Sequence, residues 1–178
     1  TGSFKIRGAS NKIAALVERG ETGAVVASSA GNHAQGVAYA AHRFGIPATI
    51  VMPKTAPIAK AKATEGYGAN VVLAGDCYDD AYAKACEICE QEHATFLHPY
   101  NDPEVIAGQG TLGLEILGDL PTADIVIVPA GGGGLFAGVA ACIKQINPRV
   151  QVIGVQAEGA DAIARSYEQG RLVTTDTA

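Results

Sequence analysis

The sequence predicts a parallel α/β protein whose strands are covered by helices on both faces. Short apolar runs rich in β-branched residues alternate with segments of helical periodicity along the whole chain. The runs are continuously apolar rather than alternating, which is typical of strands buried on both faces. The first four runs begin about 22 to 25 residues apart, which leaves room for a crossover helix each time. Parallel α/β layers follow from these three features.

Breaks in the hydrophobic pattern set the bounds of each element, and Pro53 for example ends the second strand. The predicted strands are Ala24–Ser28, Ala48–Met52, Asn70–Ala74, Thr95–Leu97, Asp124–Val128 and Val150–Val155. The predicted helices begin just after Lys5 and then cover His33–Phe44, Ile58–Glu65, Tyr78–Glu92, Glu104–Leu117 and Leu135–Gln145. A strand-like beginning at Leu172–Ala178 has nothing to pair with, so we expect a chain truncated at both ends.

Length and composition narrow the class of protein. The 178 residues suit one domain or two small ones, and a composition of 48% hydrophobic residues with 22 glycines suits buried sheets and tight turns. A net charge of −5 argues against nucleic-acid binding. No apolar stretch approaches the roughly 18 residues of a membrane span, and no signal peptide opens the sequence. We therefore expect a cytoplasmic protein without nucleic-acid or membrane partners.

The four cysteines, Cys77, Cys86, Cys89 and Cys142, do not form a disulfide framework in a chain of this size. Cys86 and Cys89 form a single C-x-x-C inside a predicted helix, without the second pair that a zinc site needs. We interpret all four as small buried hydrophobes. We predict a seam between two lobes at Pro99–Pro103, where the two prolines bracket a helix-starting aspartate.

Lys5 is the first candidate functional residue. It lies between Phe4 and Ile6, and apolar neighbours favour the neutral amine of a lysine. A neutral amine is a nucleophile that forms a Schiff base with an aldehyde. On this stretch alone, Lys5 is better described as a surface cation ahead of a helix. Two turns further along the chain reverse this interpretation.

Two turns after predicted strands carry the remaining candidates, because ligands of parallel sheets bind at the carboxyl ends of the strands. The first turn, 28–36, places Ser29, Gly31 and Asn32 at a helix start, where free N–H groups hold a carboxylate or phosphate. Ordinary N-capping by Ser and Asn explains the same residues.

The second turn is the tetraglycine stretch, Gly131, Gly132, Gly133 and Gly134, followed by Leu135. Glycines allow the backbone to approach an anion closely, and the helix dipole favours a phosphate there. No Lys-Ser/Thr follows, so the turn is not an NTPase P-loop. The turn also fits the dinucleotide-binding pattern G-x-G-x-x-A, with Gly132, Gly134 and Ala137. Glu158 lies about 24 residues beyond, close to the spacing of a residue that binds the ribose of a dinucleotide. An NAD-dependent oxidoreductase is therefore an open alternative.

Together these motifs resemble the fold-type II pyridoxal-phosphate enzymes, in particular the threonine/serine dehydratase branch that also includes serine racemase. The resemblance rests on Ser3–Gly8, Ser29–Gly36, Gly131–Leu135, Thr55–Pro57 with Lys60, and Ile106–Thr111, in this order. It implies a tryptophan-synthase-β-like fold of three-layer αβα sheets in two lobes. Residues 1–21 and 101–178 would belong to the large cofactor-binding domain and 22–100 to a small mobile domain.

The resemblance also implies a role for each motif residue. Lys5 would hold pyridoxal 5′-phosphate covalently, Phe4 would pack beside its ring, and Asn32 would bind its ring hydroxyl. The phosphate would be held by main-chain N–H groups of Gly131, Gly132, Gly133, Gly134 and Leu135. The substrate carboxylate would be bound by the residues of the first turn, Ser29, Ala30, Gly31 and His33.

The implied reaction is elimination of water from L-threonine, giving 2-oxobutanoate and ammonia, or from L-serine, giving pyruvate. Serine racemases of this branch carry a serine where this chain has Ala30, which has no proton to give, so elimination is favoured over racemisation. Their metal-binding carboxylates correspond to Gln156 and Ala162, so we expect no metal site, although Glu158 and Asp161 lie nearby. A biosynthetic role (isoleucine) and a catabolic role (threonine) both stay open.

Two further expectations complete the sequence analysis. The resemblance implies a homo-oligomer for the full-length protein. A non-catalytic ligand-binding or regulatory module with the same fold is the third alternative, beside the racemase and the oxidoreductase.

Overall fold

The structure is a computed structural model that describes residues 1–174. The chain divides into two compact units, Thr1–Gly108 and the part from Gln109 onward, and each is described by itself. The predicted lobe boundaries near residues 22 and 101 stay a prediction. No helix in the described part of the chain is long and apolar enough to cross a membrane.

The first unit contains a four-stranded parallel sheet with the strand order β3-β2-β1-β4. Val25 of β1 pairs with Ala48 of β2 and with Thr95 of β4, which places β1 inside the sheet. The elements in chain order are α1 (Lys5–Glu18), β1 (Val25–Ser28), α2 (Asn32–Phe44), β2 (Ala48–Met52), α3 (Ile58–Glu65), β3 (Asn70–Leu73), α4 (Tyr78–Glu92), β4 (Thr95–Phe96) and the start of α5 (Pro103–Asp119).

Helices cover both faces of this sheet, as the continuous apolar runs predict. Every residue of β1 and β2 is buried. Val25 and Ile50 join a cluster with α1 and α2 on one face, while Val26 and Val51 pack on α4 on the other. Because successive side chains of a strand point to opposite faces, a strand buried at every position must be covered twice. This unit therefore has the predicted three layers.

Helix α1 is packed against its neighbours by direct backbone contact. A Cβ built on Gly36 of α2 would lie 3.1 Å from the Lys5 carbonyl carbon and 3.2 Å from the Ile6 nitrogen. A Cβ built on Gly108 of α5 would lie 2.6 Å from the Arg7 carbonyl oxygen and 2.7 Å from the Gly8 Cα. Only residues without a side chain permit such an approach, so the first turns of α1 are held from two sides.

Charged side chains tie the rest of α1 to the start of α5. Lys12 Nζ lies 3.0 Å from a carboxylate oxygen of Asp102 and 2.7 Å from one of Glu104. Arg19 pairs with the same Glu104, and the Asn11 side-chain amide donates to the Glu104 carbonyl at 2.7 Å. The carboxylates raise the pKa of Lys12 against the effect of its burial. The network fixes the position of α1 relative to residues 102–104.

The second unit is built on a two-stranded parallel sheet, β5-β6, with Ile125 opposite Gln151. Val126 and Val128 pack on Val139 and Ile143 of the helix that follows β5. The elements are the remainder of α5, β5 (Ile125–Pro129), α6 (Gly134–Ile146), β6 (Gln151–Val155), a short 3₁₀ helix (Glu158–Ala160) and α7 (Ala162–Gln169).

Most sequence predictions of the elements are confirmed to within one or two residues, and three features differ. Ile125 and Ile127 of β5 are 53% and 67% exposed, because the described residues cover only one face of this sheet. Helix α7 was not predicted, since its short sequence buries no residue. The strand-like beginning at Leu172–Ala178 is not formed at 172–174, and residues 175–178 lie outside the described residues.

The close approach of α1 and α5 predicts opposite effects for two alanine substitutions in α5. Gly108→Ala should lower the free energy of unfolding by about 1–3 kcal/mol, because its Cβ must displace the backbone of α1. Gly118→Ala is the matched control, since its Cβ meets nothing within 4 Å and alanine stabilises a helix by up to about 1 kcal/mol relative to glycine. Denaturant unfolding of both variants measures the difference. Equal stability of the two would contradict the packing.

Candidate active site

Lys5 is the first residue of α1, and its amine is half-buried with a defined partner. Lys5 Nζ donates a hydrogen bond to the Pro99 carbonyl oxygen at 2.8 Å and lies 5.4 Å from the centre of the Phe4 ring. Burial lowers the pKa of Lys5 from its ordinary value of 10.5, because removal from water disfavours the charged form. The predicted nucleophile is thus a partly desolvated amine and not a surface cation.

The turn after β1 has the geometry of an anion-binding helix start. The Ser29 N–H donates to the Val51 carbonyl at 3.1 Å, and the Gly31 N–H donates to Ser29 Oγ at 3.2 Å. Asn32, the first residue of α2, is exposed and free to reach a ligand. Ser28 Oγ is buried and has no hydrogen-bond partner in the structure. A buried hydroxyl without a partner is costly, which points to a polar group that completes this turn.

His33 is buried at the same helix start, with 3% of its surface exposed. Its Nε2 lies 3.0 Å from the Leu97 carbonyl oxygen. Because a carbonyl oxygen only accepts, Nε2 carries the proton and donates it. Burial, aided by the charges of Lys5 and His98, lowers the pKa of His33 to about 4, against the opposing effect of the Leu97 hydrogen bond. His33 is therefore neutral near pH 7.

The first unit thus brings Lys5, Phe4 and the helix start at His33 into one neighbourhood. Two of these side chains end on carbonyls of one segment, residues 97–99, which follows β4. The sequence places Pro99 at a predicted seam between lobes and does not reveal its carbonyl as a partner of Lys5. A backbone acceptor 94 residues away in the chain leaves no signal in residue identity.

The tetraglycine turn lies in the second unit, between β5 and α6. Its first helical hydrogen bond runs from Ala137 N–H to the Gly133 carbonyl at 2.8 Å, so the N–H groups at the start of α6 have no partner within the helix. Gly133 has φ +85°, which side-chain-bearing residues rarely adopt. Gly131 is exposed, and a Cβ built on it meets nothing within 4 Å. Protein packing therefore does not explain Gly131, whereas an anion lying against the turn does.

These observations fit pyridoxal 5′-phosphate. The half-buried amine of Lys5 suits covalent attachment to an aldehyde, and the open glycine turn at a helix N-terminus suits a phosphate. The orphaned Ser28 hydroxyl adds a polar group near Asn32. Among residues 1–174, no group of three or more His, Cys, Asp or Glu side chains is placed to hold a metal ion. Gln156, which the resemblance matches to a metal ligand of the racemases, accepts the Ala164 N–H at 2.8 Å through its side-chain oxygen.

Comparison with known proteins extends the likeness to the whole chain. The family model described as "Pyridoxal-phosphate dependent enzyme" matches residues 1–178. The chain is 58% identical over 171 residues to an L-threonine ammonia-lyase of Thermotoga maritima. These residues make up 96% of this chain and 43% of that protein.

Two solved structures are similar in fold as well as in sequence. The processed form of threonine deaminase isoform 2 from Solanum lycopersicum matches with a TM-score of 0.94 and 44% identity, over 98% of this chain and 48% of that one. Maize serine racemase matches with a TM-score of 0.94 and 40% identity, and the match covers 99% of this chain and 54% of that one. The chain spans about half the length of the relatives it matches.

The burial of Lys5 predicts a shifted pH profile for its chemical labelling. Because the pKa of Lys5 is lowered, its neutral amine forms at lower pH than that of a free lysine. In the apoprotein, the rate of acetylation of Lys5 by acetic anhydride should therefore reach half its maximum below pH 10.5. Peptide mass mapping across a pH series measures the rate. The same peptide in denaturant is the control, and an identical midpoint there would contradict the burial.

The neutral His33 predicts a loss of stability in acid. The folded-state pKa of about 4 lies below the ordinary 6.5, so the unfolded state binds the proton first as pH falls. Stability is therefore lost between pH 6.5 and 4, by roughly 3 kcal/mol for a shift of this size. In His33→Gln a neutral amide replaces the ring and this contribution disappears. Denaturant unfolding measures the free energy of unfolding at pH 7 and at pH 4.5. Between these pH values it should fall less for the variant than for the wild type, and an equal fall would refute the lowered pKa of His33.

Proposed function

The chain belongs to the pyridoxal-phosphate-dependent enzyme family, and from this membership we propose that it is part of a threonine ammonia-lyase. The proposed reaction is elimination of water from L-threonine, with release of 2-oxobutanoate and ammonia; L-serine would give pyruvate. The observation that carries the proposal is the half-buried Lys5 amine with its lowered pKa. The 58% identity to a protein named L-threonine ammonia-lyase supports this choice of substrate.

The chain supplies the groups that would hold the cofactor. Lys5 would attach it covalently, Phe4 would pack beside its ring, and Asn32 would bind its ring hydroxyl. N–H groups of the open turn, Gly131, Gly132, Gly133, Gly134 and Leu135, would bind its phosphate. When bound, the cofactor supplies an electron sink for the negative charge that develops at the substrate Cα.

The turn after β1 would bind the substrate. Its N–H groups stand at the start of α2, where the helix dipole favours a carboxylate. Ser29 Oγ already accepts the Gly31 N–H, which leaves its own proton to donate to the substrate. His33 is neutral and bound to Leu97, so its imidazole adds no positive charge beside Lys5. The helix start would thus orient the amino acid by its carboxylate.

Lys5 would also act as the general base. With its amine free, Lys5 Nζ would take the proton from the substrate Cα. The lowered pKa of Lys5 favours the neutral amine more than in a free lysine. The electron pair left on Cα would form a Cα–Cβ double bond as the Cβ–O bond breaks, and the leaving hydroxyl would take up one proton and depart as water. Hydrolysis of the resulting unsaturated amine gives the 2-oxo acid and ammonia.

Serine racemisation is the second candidate function, favoured by the fold similarity to maize serine racemase. Racemisation requires a proton donor on the face of Cα opposite the base. The position where we expect that donor is Ala30, a partly buried residue packed against the core of the first unit. A methyl group has no proton to give, so we propose elimination as the main reaction. The oxidoreductase alternative needs a different cofactor from the one this family uses.

We propose a cytoplasmic location for the same protein. The four cysteines, Cys77, Cys86, Cys89 and Cys142, are free thiols, and free thiols suit a reducing compartment. The prediction that all four are buried is wrong, since Cys77 is exposed and the other three are only partly buried. Homo-oligomerisation of the full-length protein stays a prediction that size-exclusion chromatography tests.

The function is tested with the full-length protein and one substitution. The wild type, supplied with pyridoxal 5′-phosphate, should convert L-threonine to 2-oxobutanoate, and Lys5→Ala should reduce kcat by at least about 10³-fold, since both the attachment point and the base are lost. Lys62→Ala, at an exposed position of α3, is the control and should keep wild-type turnover.

Two results would count against the proposal. Full turnover by Lys5→Ala would exclude Lys5 as the attachment point and base. Conversion of L-serine mainly to D-serine, with little pyruvate, would favour the racemase candidate, and chiral chromatography of the same reaction mixtures distinguishes the two.

A further inference from the structure

We propose that His98 is a positioning residue for Lys5, through the turn whose Pro99 carbonyl accepts the Lys5 hydrogen bond. The importance of this role for catalysis rests on the proposed function, whereas the positioning itself does not. All the residues concerned lie in the first unit, in the segment between β4 and α5.

The ring of His98 fixes this turn through one nitrogen. His98 Nδ1 accepts the Asn101 N–H at 2.8 Å and the Tyr100 N–H at 3.3 Å. Because both partners are donors, Nδ1 carries no proton. The ring is held in place by edge contacts with Tyr100, whose centroid lies 4.6 Å away, and with Phe96 at 6.3 Å.

The link from His98 to Lys5 is a single planar peptide unit. The Pro99 carbonyl and the Tyr100 N–H belong to the same trans peptide bond, so they point in opposite directions. Proline fixes its own φ, and the remaining freedom of this peptide plane is rotation about ψ of Pro99. His98 restricts that rotation by binding the Tyr100 N–H, and the opposite side of the plane then presents its carbonyl to Lys5 Nζ at 2.8 Å.

Charges around His98 favour the neutral ring that this role requires. Lys5 of α1 faces the ring and opposes a second positive charge there, whereas His33 of α2 is neutral near pH 7. Asp102, just before α5, acts in the opposite direction. Burial and Lys5 together lower the pKa of His98 from 6.5. Protonation of Nδ1 would remove the acceptor, so positioning of Lys5 should fail in acid.

Two substitutions separate the acceptor from the rest of the ring. His98→Leu removes the acceptor, whereas His98→Asn keeps a side-chain oxygen that can accept N–H groups two and three residues ahead. In crystal structures of the full-length apoprotein, we expect the Lys5 Nζ to Pro99 oxygen bond to persist in His98→Asn and to be lost in His98→Leu. Persistence of the bond in His98→Leu, or its loss in both variants, overturns the proposal.

The rate of covalent capture of pyridoxal 5′-phosphate by Lys5 gives a functional readout that does not need threonine turnover. Borohydride reduction and peptide mass mapping measure the modified Lys5 with time. We expect capture to slow by about 10-fold in His98→Leu, since small misplacements of a reacting group carry costs of this order or more, and to stay within about 2-fold of wild type in His98→Asn. A purely structural role would lower the melting temperature and leave the capture rate of the folded protein unchanged.

A pH series keeps the test decisive even if His98→Leu does not fold. The ratio of the capture rates of wild type and His98→Asn cancels the titrations of Lys5 and of the cofactor. This ratio should fall as pH drops below 6.5, where His98 alone gains a proton. A ratio that stays flat from pH 8 down to the acid limit of the folded protein would refute the positioning role. Normal positioning in a protein that does not act on threonine would instead count against the proposed function only.

Discussion

The backbone contact of α1 with two glycines is the constraint on which the site depends. Gly36 and Gly108 bring α2 and α5 so close to residues 5–8 that no side chain fits between them. A lysine side chain has four rotatable bonds, and its amine is placed only as well as its own backbone is. The glycines fix the Lys5 backbone, and the Pro99 carbonyl then needs to hold only the far end.

Burial performs a second task at the same place, because it lowers the pKa of two basic groups. Desolvation is the main cause of the lowered pKa of both Lys5 and His33. Each group donates a hydrogen bond to a backbone carbonyl, which is an acceptor without charge. A carboxylate in the same position would stabilise the charged forms and remove the nucleophile. The ion pairs of Lys12 with Asp102 and Glu104 lie two turns further along α1.

The sequence allowed prediction of those features that depend on local pattern. The continuous apolar runs at Val25–Ser28 and Ala48–Met52 reveal the buried strands, and the glycines after β5 reveal the helix start at Gly134. It did not reveal that Lys5 binds Pro99, because the acceptor is a backbone group that every residue type carries. Helix α7 escaped prediction for a different reason, since its apolar face, which includes Ile163 and Tyr167, extends over a helix of only eight residues.

The glycines themselves distinguish packing from ligand binding. At Gly36 and Gly108 a Cβ would collide with the protein, so the fold itself excludes a side chain. Gly133 is required by its positive φ. Gly131 meets neither condition, since a Cβ there would enter open space and its φ is not in the left-handed region. At the N-terminus of α6, where free N–H groups and the helix dipole favour an anion, a group from outside the chain would give Gly131 a role that packing and backbone geometry do not.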